Sequence, residues 1–165
     1  MKRIMMAILL VPTLSACQTM GSVTDWWGGD SASAKPALTC TAVLTPDAMA
    51  SSTITKGDAP MDIQATLRLR VDTVDCERTD AGIRQTVQVT ISGIKGPALK
   101  TDELKTAFFA AVVDPDTNVT AKKMYQTTLE FNDGKAAEQL TLLFNLTADQ
   151  AVRSSIYLGF RPVAR

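Results

Sequence analysis

Few residues in this chain are equipped for chemistry. There are three cysteines, Cys17, Cys40 and Cys76, and no histidine in 165 residues. Without an imidazole, Ser-His-Asp and Cys-His nucleophilic systems are excluded, as are zinc sites with histidine ligands. Serines and lysines are present but stand in no recognisable nucleophile motif, so a Ser-Lys dyad has composition behind it and nothing more. Asp114 and Asp116 flank Pro115, with Asn118 and Thr120 close by. Calcium takes about six to eight oxygens, and this set offers some of them. The same Asp-Pro-Asp spelling makes a good turn, and we read it as a turn. Asp72, Asp75, Glu77 and Asp80 cluster around Cys76; we read them as the solvated end of a hairpin. We read Gly93-Ile94-Lys95-Gly96-Pro97 as a loop and not a phosphate cradle, because its glycine spacing is wrong for one. We expect no enzyme activity, no catalytic residue, no metal site and no cofactor.

Cys17 stands apart from the other two cysteines. Lys2 and Arg3 open the chain, and an apolar run follows from Ile4 to Leu14, broken by Pro12 and Thr13. Its about eleven residues fall short of the roughly 20 that cross a bilayer and suit the apolar region of a secretory signal. The run ends Leu14-Ser15-Ala16-Cys17, which resembles the lipobox of bacterial lipoproteins. That resemblance implies cleavage between Ala16 and Cys17, a diacylglycerol on the Cys17 sulfur and acylation of the new amine. The residue types suit the chemistry: a thiolate is the nucleophile, and small neighbours leave the backbone open to a peptidase. The alternatives are an ordinary secretory signal or a buried cysteine in a short amphipathic helix. Acylation makes a protein anchored rather than secreted. Each buried methylene contributes about 0.8 kcal/mol, so two or three chains hold where one binds marginally. Gln18 follows the cysteine, not the Asp that resembles an inner-membrane retention signal. We expect the outer membrane, with the domain on its periplasmic face.

With Cys17 committed to lipid, Cys40 and Cys76 remain. In an oxidising periplasm they read as a disulfide; the alternative is two separate buried thiols. The bridge would close a loop of about 37 residues and contribute roughly 3–4 kcal/mol in the chain-entropy view. The chain carries 17 basic and 17 acidic side chains. Cleavage removes Lys2 and Arg3, so the mature protein is near neutral and makes no case for nucleic acid.

The organisation is a signal (1–16), a lipidated cysteine with a flexible tether (17–37) and one domain (38–165). The tether is rich in Gly, Ser, Ala and Asp. Within it, Trp26-Trp27 reads either as an interfacial anchor or docking peg or as a pair packed on its own domain or merely tolerated, and we prefer the second. From Cys40 the pattern is period two. Ile63, Ala65, Leu67, Leu69 and Val71 alternate with Gln64, Thr66, Arg68, Arg70 and Asp72; Val87, Val89 and Ile91 alternate with Gln88 and Thr90. These two runs predict an antiparallel hairpin. Residues 107–114 are apolar on both faces, as in a central strand. Strands are also expected over 40–44, 119–131, 137–146 and 154–162. Leu99 to Leu104 suits a helical turn, and Thr147 a helix N-cap. The prediction is an all-β, two-sheet antiparallel sandwich, immunoglobulin-like, of about seven strands; a small closed barrel is the alternative.

Several blocks resemble a family of small alphaproteobacterial lipoproteins of unknown function: Gly96-Pro97-Ala98, "FFAAVVDPDTNVTAKKMY" (108–125), Phe131 and "IYLGFRP" (156–162). Its members combine a lipobox, an early domain cysteine, a second cysteine after a long strand, a Gly-Pro loop and an apolar strand of this kind. The family's tail continues past the Gly-Phe strand, whereas this chain stops at Arg165. The resemblance implies a fold and an address and assigns no activity. We expect a non-enzymatic binding or envelope-assembly module, joined to the membrane by its lipid and to an unidentified envelope protein. The alternative is a carrier or sensor of an apolar envelope ligand, suggested by the strand around Phe108 and Phe109. A histidine-free hydrolase or cell-wall enzyme is a third reading, with no residue to support it.

Overall fold

The computed structural model describes residues 38–161. The expectations for the signal, Ala16, Cys17, the tether and Trp26-Trp27 lie outside the described residues, as does the stretch 162–165. Eight strands form: β1 (Ala42–Leu44), β2 (Ser51–Thr55), β3 (Ile63–Thr79), β4 (Gly82–Lys95), β5 (Glu103–Val113), β6 (Val119–Glu130), β7 (Lys135–Leu146) and β8 (Ser155–Gly159). Two short helices, α1 (Asp47–Ala50) and α2 (Ala148–Arg153), precede β2 and β8. One sheet has the order β1-β8-β5-β6 and the other β2-β3-β4-β7. The pairings are antiparallel except that β1 runs parallel to β8.

The sandwich closes because each long strand sends alternate side chains inward. Leu67 and Leu69 of β3, Val87, Val89 and Ile91 of β4, and Leu142 of β7 share one core with Phe108, Leu129, Ile156 and Leu158 of the opposite sheet. Polar and charged side chains take the other parity: Arg68 and Arg70 are exposed, as the wet face of a half-buried strand requires. Burying a large aliphatic or aromatic side chain stabilises by about 1.5–3 kcal/mol, and these rows are what hold the two sheets together.

The departures from expectation have physical causes. The eighth strand is β2, whose Ser51-Ser52-Thr53-Ile54-Thr55 carries too little apolar content to announce itself; it forms because β3 offers it a partner edge. The expected helical turn at Leu99–Leu104 is absent. Pro97 and Ala98 turn the chain, the Ala98 N–H donates to the Ile63 carbonyl, and β5 begins at Glu103. Leu99 and Leu104 are instead drawn into the core. The expected hairpin of β3 and β4 forms, with only Asp80 and Ala81 between the paired residues Thr79 and Gly82.

Candidate functional site

Two of the sequence candidates meet at the point where the chain enters the domain. Cys40 and Cys76 are bridged, with Cα atoms 5.6 Å apart. Cys76 pairs across the ladder with Gln85, and that glutamine is fully buried. Its Oε1 accepts from the Thr41 N–H at 2.9 Å, and its Nε2 donates to the Thr41 carbonyl at 2.8 Å. The Thr41 hydroxyl then donates to the Ala151 carbonyl of α2 at 3.0 Å. The side chain of Gln85 thus stands in for a neighbouring strand, satisfying a backbone N–H and C=O that burial would otherwise strand. Residues 40 and 41 are held covalently and by hydrogen bonds on adjacent positions. Helix α2 is itself fixed by a capping box: the Gln150 N–H donates to Thr147 Oγ1 at 3.2 Å, and the Gln150 side chain accepts from the Thr147 N–H at 3.1 Å.

Three of the acidic candidates, Asp114, Asp72 and Glu77, have side-chain partners. Asp114 closes the turn after β5: its Oδ1 accepts from the Asn118 N–H at 2.8 Å and its Oδ2 from the Asn118 side-chain amide at 3.2 Å. Thr117 takes a left-handed conformation, φ 67°, within that turn. Hydrogen bonds from Asn118, backbone first, hold the Asp114 carboxyl below its ordinary range. Asp72 sits where the β3–β4 register slips between Val71 and Thr73, and this bulge turns its carboxylate to Thr90, whose hydroxyl donates at 2.5 Å. Arg70 reaches the same carboxylate at 2.8 Å. Thr90 first, then Arg70, holds the Asp72 carboxyl low against partial desolvation. Glu77 pairs with Arg84 at 2.8 Å. Among the described residues, no three His, Cys, Asp or Glu side chains gather as a metal set.

What remains is surface shape, and it centres on β6. This strand ends its sheet, and β7 ends the other. From Val119 to Met124 every β6 side chain is exposed, Met124 the least at 37%; burial resumes at Tyr125. Tyr125 stacks on Phe108 with ring centroids 5.3 Å apart and planes at 17°, and burial pushes its phenol pKa up. Lys123 lies on the inward parity, its ammonium 4.9 Å from the Tyr125 ring centroid. Lys122 lies on the outward parity, 5.1 Å from that of Phe109. Between the two edges opens a cleft of about 240 Å³, with Ala110, Val112, Tyr125, Phe144 and Leu146 on its walls and Lys122, Lys123 and Gln150 at its mouth. The doubly apolar strand thus has two environments: Phe108 is in the core and Phe109 is on the outer face beneath Lys122.

A larger groove, about 690 Å³, crosses the far end of the other sheet, where Ser92, Gly93, Ala136 and Ala137 leave a depression between Arg68, Ile94, Glu130 and Lys135. Its rim carries both signs of charge. Two of its floor strands, β3 and β4, are paired on both sides, so it has less free backbone to offer than the β6 cleft. The β6 edge was not singled out from the sequence, and neither was Gln85. A signal for Gln85 did exist: it occupies the same parity as Val87 and Val89, a polar residue in an apolar row.

No protein-family model and no curated protein matches this chain. Among solved structures, that of a DUF1425 family member from Shewanella sp. pv-4 is similar at a TM-score of 0.36 and 14% identity, over 69% of this chain and 99% of that one. So slight a likeness carries no argument about fold or function.

Proposed function

We propose that this protein is a lipid-anchored bacterial envelope protein whose sandwich acts as a non-enzymatic binding or assembly module. The observation that carries the reading is the Cys40–Cys76 bridge. Disulfides persist in oxidising compartments, which supports an exported domain. The Leu14-Ser15-Ala16-Cys17 tetrad supports a route by which it is held there. The blocks that resemble small alphaproteobacterial lipoproteins point the same way. Gln18 favours the outer membrane, and the domain faces the periplasm. The titratable groups perturbed on the surface, Asp72 and Asp114, are occupied in holding a bulge and a turn, which supports binding over catalysis.

The apolar-ligand reading has less behind it. The cleft between the sheets measures about 240 Å³, below the roughly 300–1,000 Å³ usual for small-molecule sites. The binding reading is tested by placing a photo-crosslinking amino acid at exposed positions of the full chain in living cells: Met124 on β6, Thr53 on β2 and Leu143 on β7. A reproducible envelope-protein adduct from at least one position is expected. No adduct from any of them, with the protein at normal abundance, would refute the module.

A further inference from the structure

We infer that β6 is a strand-addition site, taking an extended, acidic polypeptide segment with apolar residues at alternate positions. The inference rests on the binding-module reading and names its partner. An edge strand leaves half its backbone N–H and C=O groups unpaired, and proteins usually shield long edges. Of the four edges, β1 has 3 residues and β2 has 5, whereas β6 and β7 have 12 each. The β6 edge differs from β7 in having no buried side chain over its first six residues, Val119 to Met124. Among the described residues no strand pairs with this edge, so a segment added there gains backbone pairing without displacing any of them. Its inward side chains then lie over the cleft walled by Val112, Tyr125 and Phe144. Backbone pairing with a pocket for alternate side chains is the physical recipe for strand addition.

Charge selects the partner. Residues 119–128, Val-Thr-Ala-Lys-Lys-Met-Tyr-Gln-Thr-Thr, contain Lys122 and Lys123 and no acid. Both lysines are exposed, and neither appears in an ion pair among the described residues. Cross-strand neighbours stand about 4.5–5.5 Å apart, and like charges there repel. A second copy adding β6 to β6 in antiparallel register about residues 122–124 would set lysine against lysine, so self-pairing is disfavoured. A foreign strand with its apolar residues over the cleft turns its carboxylates outward, beside Lys122, while its apolar row runs along the aliphatic stem of Lys123.

The test uses the full chain in detergent micelles and three synthetic peptides of about eight residues, a typical strand length. One alternates leucine or valine with glutamate. A second has the same composition with the apolar residues in a block. A third replaces glutamate with lysine. The alternating acidic peptide is expected to bind at least about tenfold more tightly than either control and to slow amide exchange along Val119–Gln126. The exposed double substitution Lys122→Glu/Lys123→Glu should reverse the charge preference. Equal binding of alternating and blocked peptides, protection on β2 or β7 instead, no change on charge reversal, or displacement of the peptide by palmitate would each overturn it. Failure here with an envelope adduct from Thr53 or Leu143 leaves the module standing; no adduct in cells from any position removes the module and this inference with it.

Discussion

At the scale of single residues, the molecule uses polar side chains mainly to hold backbone. Gln85 is the strongest case, because both ends of its amide serve one buried residue, Thr41. Gln85→Leu keeps the volume and orphans an N–H and a C=O. At about 1–3 kcal/mol for each unsatisfied group, urea unfolding should show a loss of about 2–6 kcal/mol. A loss below about 0.5 kcal/mol would mean that the amide clamps nothing. Asp72 gives a pH signature. Its folded carboxyl is held below the ordinary value of 3.8, first by Thr90 and then by Arg70. A depressed folded pKa means stability that is present above the unfolded value and lost as the pH falls through the folded one. Thr90→Val removes the leading cause. Its destabilisation should be full near neutral pH and should shrink as the pH drops below 3.8. A pH-independent difference between the two proteins would show that the hydroxyl serves packing instead.

At the scale of elements, turns decide how the sheets are joined. Gly82 opens β4 at φ 144°, where a Cβ would meet the Leu146 carbonyl oxygen. Asp133 and Gly134 both have positive φ, 51° and 75°, and form the tight turn before β7 with nothing near Gly134. Gly134→Ala should cost about 1–2 kcal/mol for the left-handed backbone alone. Gly82→Ala adds a backbone clash and should cost about 3 kcal/mol or more. Urea midpoints of the two variants check the order, and an inverted order would contradict it. These elements also show what a sequence can reveal. The alternation of β3, β4, β7 and β8 was legible because each strand buries one face of the sandwich. Strand β2 was not, since a Ser/Thr run with only Ile54 turned inward carries no periodic signal. The parallel β1–β8 pair was not legible either, because partners more than 100 residues apart leave no local trace. The openness of the β6 edge belongs to the assembled sandwich: its Val-Thr-Ala-Lys-Lys-Met spelling looks the same on an edge or in a centre.

At the scale of the whole molecule, the fold and the proposed anchor are linked by one stretch of chain. Near the start of the described residues, Cys40 and Thr41 are held by the disulfide and by Gln85. Opening the bridge with Cys40→Ser/Cys76→Ser should lower stability by about 3–4 kcal/mol by the loop-entropy relation. Comparing unfolding with and without reductant checks this, since reductant should shift the wild type and leave the double variant unmoved. The address itself turns on Cys17. Metabolic labelling with a clickable palmitate probe, in cells producing the full chain, tests it most directly. Wild type should take the label and sediment with membranes, and Cys17→Ser should remain unlabelled. Equal labelling of the two proteins, or label on neither, would contradict a lipid anchor at that residue.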